Sequence, residues 1–188
     1  MKKIKTQNIA ICGLMAALCY VGYAVFPAIN VSGSKVHLGN AFVVLGALML
    51  GGGYGGLAGA IGLTIADLTL GFASSAPRTF ITKLVLGLIV GLVAHKIGHI
   101  FDDKDRKHIL KWAIIASAAG LLFNCIFEPA LKWLWYTLLF PNPDKAASAI
   151  KTMLAITTYT TMINAVINGV AAVLLFMAVY GSVKKYLK

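Results

Sequence analysis

Four charged side chains interrupt otherwise apolar stretches of this chain: Asp67, Lys83, Glu128 and Lys132. A charge near the middle of a bilayer costs about 2.5–3.5 kcal/mol on insertion scales, so each needs a partner or a task. Glu128 and Lys132 are four residues apart and share one helix face; Asn124, four residues earlier, extends the stripe. Asn164 and Asn168 repeat that spacing further on, with Tyr159 and Thr160 about one turn before them. Trp133, Trp135 and Tyr136 cluster near the same polar stripe. Acids and amides supply hydrogen bonds, and the rings supply stacking faces. Together they describe a polar pocket for a small polar aromatic solute. A plainer arrangement uses the same charges as glue between helices, with Asp67 paired to Lys83 and Glu128 to Lys132.

Other chemistries lack their residues. No Walker-type phosphate loop and no HExxH or paired-cysteine metal motif occurs. No serine sits in a nucleophile elbow. His95 and His99 are four apart and allow a metal pair, but spacing alone is a weak signal, and solvated loop histidines are the simpler reading. Cys12, Cys19 and Cys125 lie inside apolar segments and read as small buried hydrophobes. No cofactor or metal is expected.

The elements that must position these residues are set by composition. Of the 188 residues, 59% are hydrophobic and only 12% charged, against about 45–50% and about 25% in ordinary soluble domains. The chain reads as one all-α transmembrane domain, 1–188, with six helices near 9–26, 38–50, 54–70, 78–99, 112–139 and 155–182. Pro27 ends the first, and 28–36 is expected to be a loop. Three glycines, Gly51 to Gly53, make a turn between the second and third. The charged stretch 99–111 reads as a water-exposed loop, 140–146 as a loop on the opposite side, and Pro129 as a kink.

The net charge of +11 fits membrane orientation better than nucleic-acid binding. Lys2, Lys3, Lys5, Lys96, Lys104, Arg106, Lys107, Lys111, Lys184, Lys185 and Lys188 fall on one side. They outnumber Lys35, Arg78, Lys83, Lys132, Lys145 and Lys151 on the other. Both termini are therefore expected in the cytoplasm, with the intramembrane charges toward the outer face. Gly13 and Ala17, four apart in the first segment, form a small-residue stripe against which another helix can pack.

His37-Leu38-Gly39-Asn40, the glycine-rich turn at 51–56, Ala66-Asp67-Leu68, and Lys83 after a proline-containing loop resemble one family in their order and spacing. It is the substrate-binding S components of energy-coupling factor (ECF) vitamin transporters, in the riboflavin, pyridoxine and hydroxymethylpyrimidine group. The resemblance implies a prokaryotic plasma-membrane protein with six helices that binds one vitamin near the outer face. It also implies docking on a transmembrane coupling subunit driven by two cytoplasmic ATPases, through a small-residue motif that Gly13 and Ala17 match. Asp67 and Lys83 fall where the group places polar residues near the ligand, and His37 and Asn40 lie at the start of the second helix, near the same face. With Arg78, Asn124, Glu128, Lys132, Trp133, Tyr159, Asn164 and Asn168 they make the candidate site. Pyridoxine or hydroxymethylpyrimidine is the expected cargo, with riboflavin as the alternative. An intramembrane enzyme using Asp67 or Glu128 as base, and a scaffold without ligand, are the readings from other classes.

Overall fold

The computed structural model describes residues 6–25, 29–31, 34–102, 105–139 and 143–183. Its helices are α1 (Thr6–Ala24), α2 (Gly39–Thr69), α3 (Ala76–Gly91), α4 (Arg106–Leu139) and α5 (Pro143–Val183). The segment expected as a loop before residue 37 instead holds two short strands, β1 (Ile29–Val31) and β2 (Ser34–Val36). They pair antiparallel with Asn30 opposite Lys35, so the fold is helical with one small β-hairpin.

Gly51 divides α2. Its φ of 81° and ψ of 167° are not helical, and glycine adopts them at little steric cost. Beyond it the chain folds back, so that Gly55 lies against Gly46 and Ala47, and Gly59 against Val43. In an uninterrupted helix Gly46 and Gly55 would stand about 13 Å apart. α2 is thus two antiparallel arms, 39–50 and 52–69. The turn expected from three glycines is Gly51 alone; Gly52 and Gly53 already belong to the second arm.

The first arm is the centre of the molecule. Ala41, Val43, Val44, Ala47 and Leu48 are buried, as expected of a helix that is apolar all round. The second arm is buried on one side and exposes Leu57, Ile61, Ile65 and Leu68 on the other. α3 packs against it backbone to backbone: a Cβ on Gly87 would run into Gly56, and one on Gly91 into the Gly52 amide. Small residues permit this approach, and dispersion rewards it where lipid gives no hydrophobic drive. α1 closes another side, with Cys19 and Met15 in the core.

α3 begins with a proline in its first turn, where a missing N–H costs nothing. It widens into a π-helical turn, Leu92–Ile97. There His95 Nε2 lies 3.1 Å from the Ala47 carbonyl. The loop expected over 99–111 is shorter than thought, because α4 starts at Arg106. Arg106, Lys107 and Lys111 are exposed on its first turns, and Arg and Lys are good helix formers. α4 continues through Pro129. α5 starts at Pro143, well before the expected 155, again with proline at its first position.

Among the described residues, four helices are long and apolar enough to cross a membrane: Gly39–Thr69, Ala73–Ile97, Arg106–Leu138 and Ala149–Ser182. A shorter apolar helix covers Ile9–Ala24. Among the cations used to orient the chain, Lys2, Lys3, Lys5, Lys104, Lys184, Lys185 and Lys188 lie outside the described residues, as does the side chain of Lys145.

Candidate functional site

Every helix, and strand β2, contributes side chains to one polar cavity of about 70 Å³. The second arm of α2 brings Asp67, α3 brings Arg78 and Lys83, and α4 brings Glu128 and Lys132. His37, Asn40 and Asn164 line it as well. The intramembrane charges singled out by their cost therefore meet in one place.

Their pairing differs from the expected one. Lys83 reaches across to Glu128 at 3.0 Å, not to Asp67. Asn124 donates to the same Glu128 oxygen at 3.0 Å, so the predicted polar stripe on α4 acts as a brace for the carboxylate. Asp67 accepts from two hydroxyls, Tyr23 at 3.0 Å and Thr79. Lys132 donates to Thr157 Oγ1 at 2.7 Å. Spacing along one helix aligned Glu128 with Lys132, but Lys132 turns toward α5 and Glu128 toward α3.

Asn164 and Asn168 hold the junction between β2 and α2. Asn164 donates to the Lys35 carbonyl at 2.8 Å and accepts from the His37 N–H at 3.0 Å. Asn168 is fully buried; it donates to the His37 carbonyl at 2.9 Å and accepts from the Ala41 N–H at 2.8 Å. These side chains bond backbone groups at the end of the sheet and in the first turn of α2, where the Ala41 N–H also reaches the Leu38 carbonyl at 3.0 Å. His37 accepts the Gly39 N–H on Nδ1 at 3.0 Å. Burial, then the Lys83 and Lys35 ammonium groups, push its imidazole pKa down to about 3, so it is neutral near pH 7.

Four candidates do not line the cavity: Asn124 and Asn168 brace groups around it, and Trp133 and Tyr159 lie elsewhere. Trp133 is 51% and Tyr159 66% exposed, and neither lines the cavity. Both were chosen for their rings, yet on helices that face lipid an aromatic side chain is as readily outside as in. No group of three or more potential metal-ligating side chains occurs among the described residues, His95 and His99 included.

A family model for the ECF-type riboflavin transporter, S component, matches residues 3–181. The chain belongs to this family. No curated protein and no solved structure matches it. As an ECF S component it is a membrane protein of vitamin uptake, from a family of substrate-binding transporter subunits and not of enzymes.

Several residues of this S component's cavity went unnoticed in the sequence: Tyr23, Ser34, Lys35, Phe72, Ser75, Thr79, Thr157 and Thr161. A signal for the α5 pair was present. Thr160 and Thr161 both stand three or four residues after Thr157 and before Asn164, and Asn168 is four further on, the spacing of one helix face. Each of these threonine hydroxyls donates to the carbonyl four residues earlier, which satisfies it without water. Tyr23 and Lys35 carried no comparable pattern. Gly13 has open space around it and Ala17 is exposed, so both lie on the outward face of α1.

Proposed function

We infer that this S component holds its vitamin in the cavity between α1, the second arm of α2, α3, α4 and α5. One observation carries the reading: Asp67, Arg78, Lys83, Glu128 and Lys132, costly in lipid and distant in sequence, line a single cavity. A scaffold would need only the Lys83–Glu128 pair to join its helices; it has no use for a lined hollow. The family's name supports riboflavin. The narrowness of the cavity, well below the roughly 300–1,000 Å³ of drug-sized sites, supports a compact ring such as pyridoxine or hydroxymethylpyrimidine. Titration of the purified protein with these three compounds tests the reading. Saturable binding of one, weakened at least about tenfold by Asp67→Asn, is the expected result, and no binding of any overturns it.

The six helical segments then cross a prokaryotic plasma membrane with both termini in the cytoplasm and the cavity toward the outer face. The outward face of α1 serves the coupling subunit and its two ATPases. Gly13→Leu fills open space and disturbs no internal contact. It is expected to abolish copurification with the coupling and ATPase subunits while leaving the vitamin titration unchanged. Normal assembly of this variant would remove α1 as the docking face.

A further inference from the structure

The cavity is lined by four cationic side chains, Lys35, Arg78, Lys83 and Lys132, but by two carboxylates, Asp67 and Glu128. Lys83 and Glu128 cancel at 3.0 Å. Asp67 then remains against three cations, and the hydrogen bonds it accepts come from neutral hydroxyls. His37 adds no negative charge.

None of the three remaining cations reaches a carboxylate among the described residues. Lys132 is 6% exposed and donates to the neutral Thr157 hydroxyl. Arg78 is 9% exposed; one guanidinium nitrogen donates to Ser75 at 3.1 Å, and Nη1 is buried with no hydrogen-bond partner. Lys35 rests its ammonium on the rings of Tyr23 and Phe72, 4.9 and 4.6 Å from their centroids. A buried guanidinium with an idle donor is costly, because the lost hydration is not replaced. The planar fork of arginine is shaped for two parallel bonds to a carboxylate or phosphate. An arginine, a buried lysine and a third cation around one cavity therefore make a ready anion seat.

We propose that the ligand of this site carries an anionic group, a carboxylate or a phosphate ester, seated between Arg78 and Lys132. The proposal rests on the vitamin-binding reading above and changes its choice of cargo: riboflavin, pyridoxine and hydroxymethylpyrimidine are neutral, and the preferred ligand is a charged vitamin or vitamin ester. Lys83 and Glu128 stay paired, and Asp67 is left to meet a hydroxyl or ring N–H of the ligand body.

Matched pairs of probes test it: riboflavin with riboflavin 5′-phosphate, pyridoxine with pyridoxine 5′-phosphate, and nicotinamide with nicotinate. They are titrated against the wild-type protein in phosphatidylcholine nanodiscs, whose lipid carries no net charge. The anionic member of at least one pair is expected to bind roughly tenfold tighter or more. Its advantage should shrink as salt rises from about 0.02 to about 0.5 M, because screening weakens only the charged probe. The phosphate and carboxylate pairs separate the two anion chemistries. Arg78→Gln and Lys132→Met should each bring the ratio within a pair toward one. Neutral members binding as tightly as the anionic ones in every pair, or tighter, would overturn the proposal and leave the vitamin reading standing. Binding by no probe of either kind would overturn both. The wild-type comparison decides the matter even if a variant does not fold.

Discussion

Lys83→Met is expected to unfold the protein roughly 10 °C below wild type and to eliminate vitamin binding. Lys83 is 4% exposed and its ammonium sits 3.0 Å from Glu128. Removing it leaves the carboxylate with the Asn124 amide as its remaining hydrogen-bond donor. Breaking one side of a fully buried pair costs about 3–5 kcal/mol; the Glu128 side chain is 25% exposed, which puts the cost at the lower end, and for a chain of this length each kcal/mol lowers the midpoint by about 2–4 °C. The double variant Lys83→Met/Glu128→Met removes both charges together. It should regain most of the lost stability, because apolar side chains of similar volume often replace a buried pair at little cost. It should not regain binding. Thermal unfolding of the two variants separates the effects. A single variant that melts within about 2 °C of wild type would show that the pair is not a structural tie.

Gly91→Leu is expected to prevent folding altogether. A Cβ at residue 91 would be built into the Gly52 amide, backbone against backbone. No flexible side chain is there to move aside, so α3 and the second arm of α2 would have to separate along their length. Loss of such close packing removes the main attraction between helices in lipid. The readout is the yield of monodisperse protein in detergent, with Gly13→Leu as the companion, since nothing lies within 4 Å of Gly13. Normal yield of Gly91→Leu would mean that the two helices can pack at a wider spacing.

The cost of charge in lipid picked out of the sequence four side chains that the fold gathers around one cavity. Asp67, Lys83, Glu128 and Lys132 are conspicuous because lipid penalises them, and each of them lines the cavity. A turn was also legible at the glycine run, since three adjacent glycines have no good place in a helix interior. Who meets whom was not. Glu128 and Lys132 share a helix, but their partners Lys83 and Thr157 come from other helices, and helix spacing carries no information about rotation against a neighbour. The β-hairpin was missed because each strand has three residues, too few to show alternation. The early starts of α4 and α5 were missed because polar residues there read as loop, while in both cases they are helix projecting beyond the apolar run.

Trp133 and Tyr159 lie off the cavity for a different reason, visible in α5. Val166, Val170 and Leu174 are 69%, 58% and 66% exposed, whereas Asn168, Ala172 and Phe176 are fully buried. In water the first set would be polar and the inner face would announce itself; in lipid both faces are apolar. The two sides of the same helix therefore differ in the substitutions they tolerate. On the exposed side valine, leucine and isoleucine can replace one another at little cost, while on the buried side Asn168 must donate to the His37 carbonyl and accept from the Ala41 N–H at once, which an aliphatic side chain cannot do.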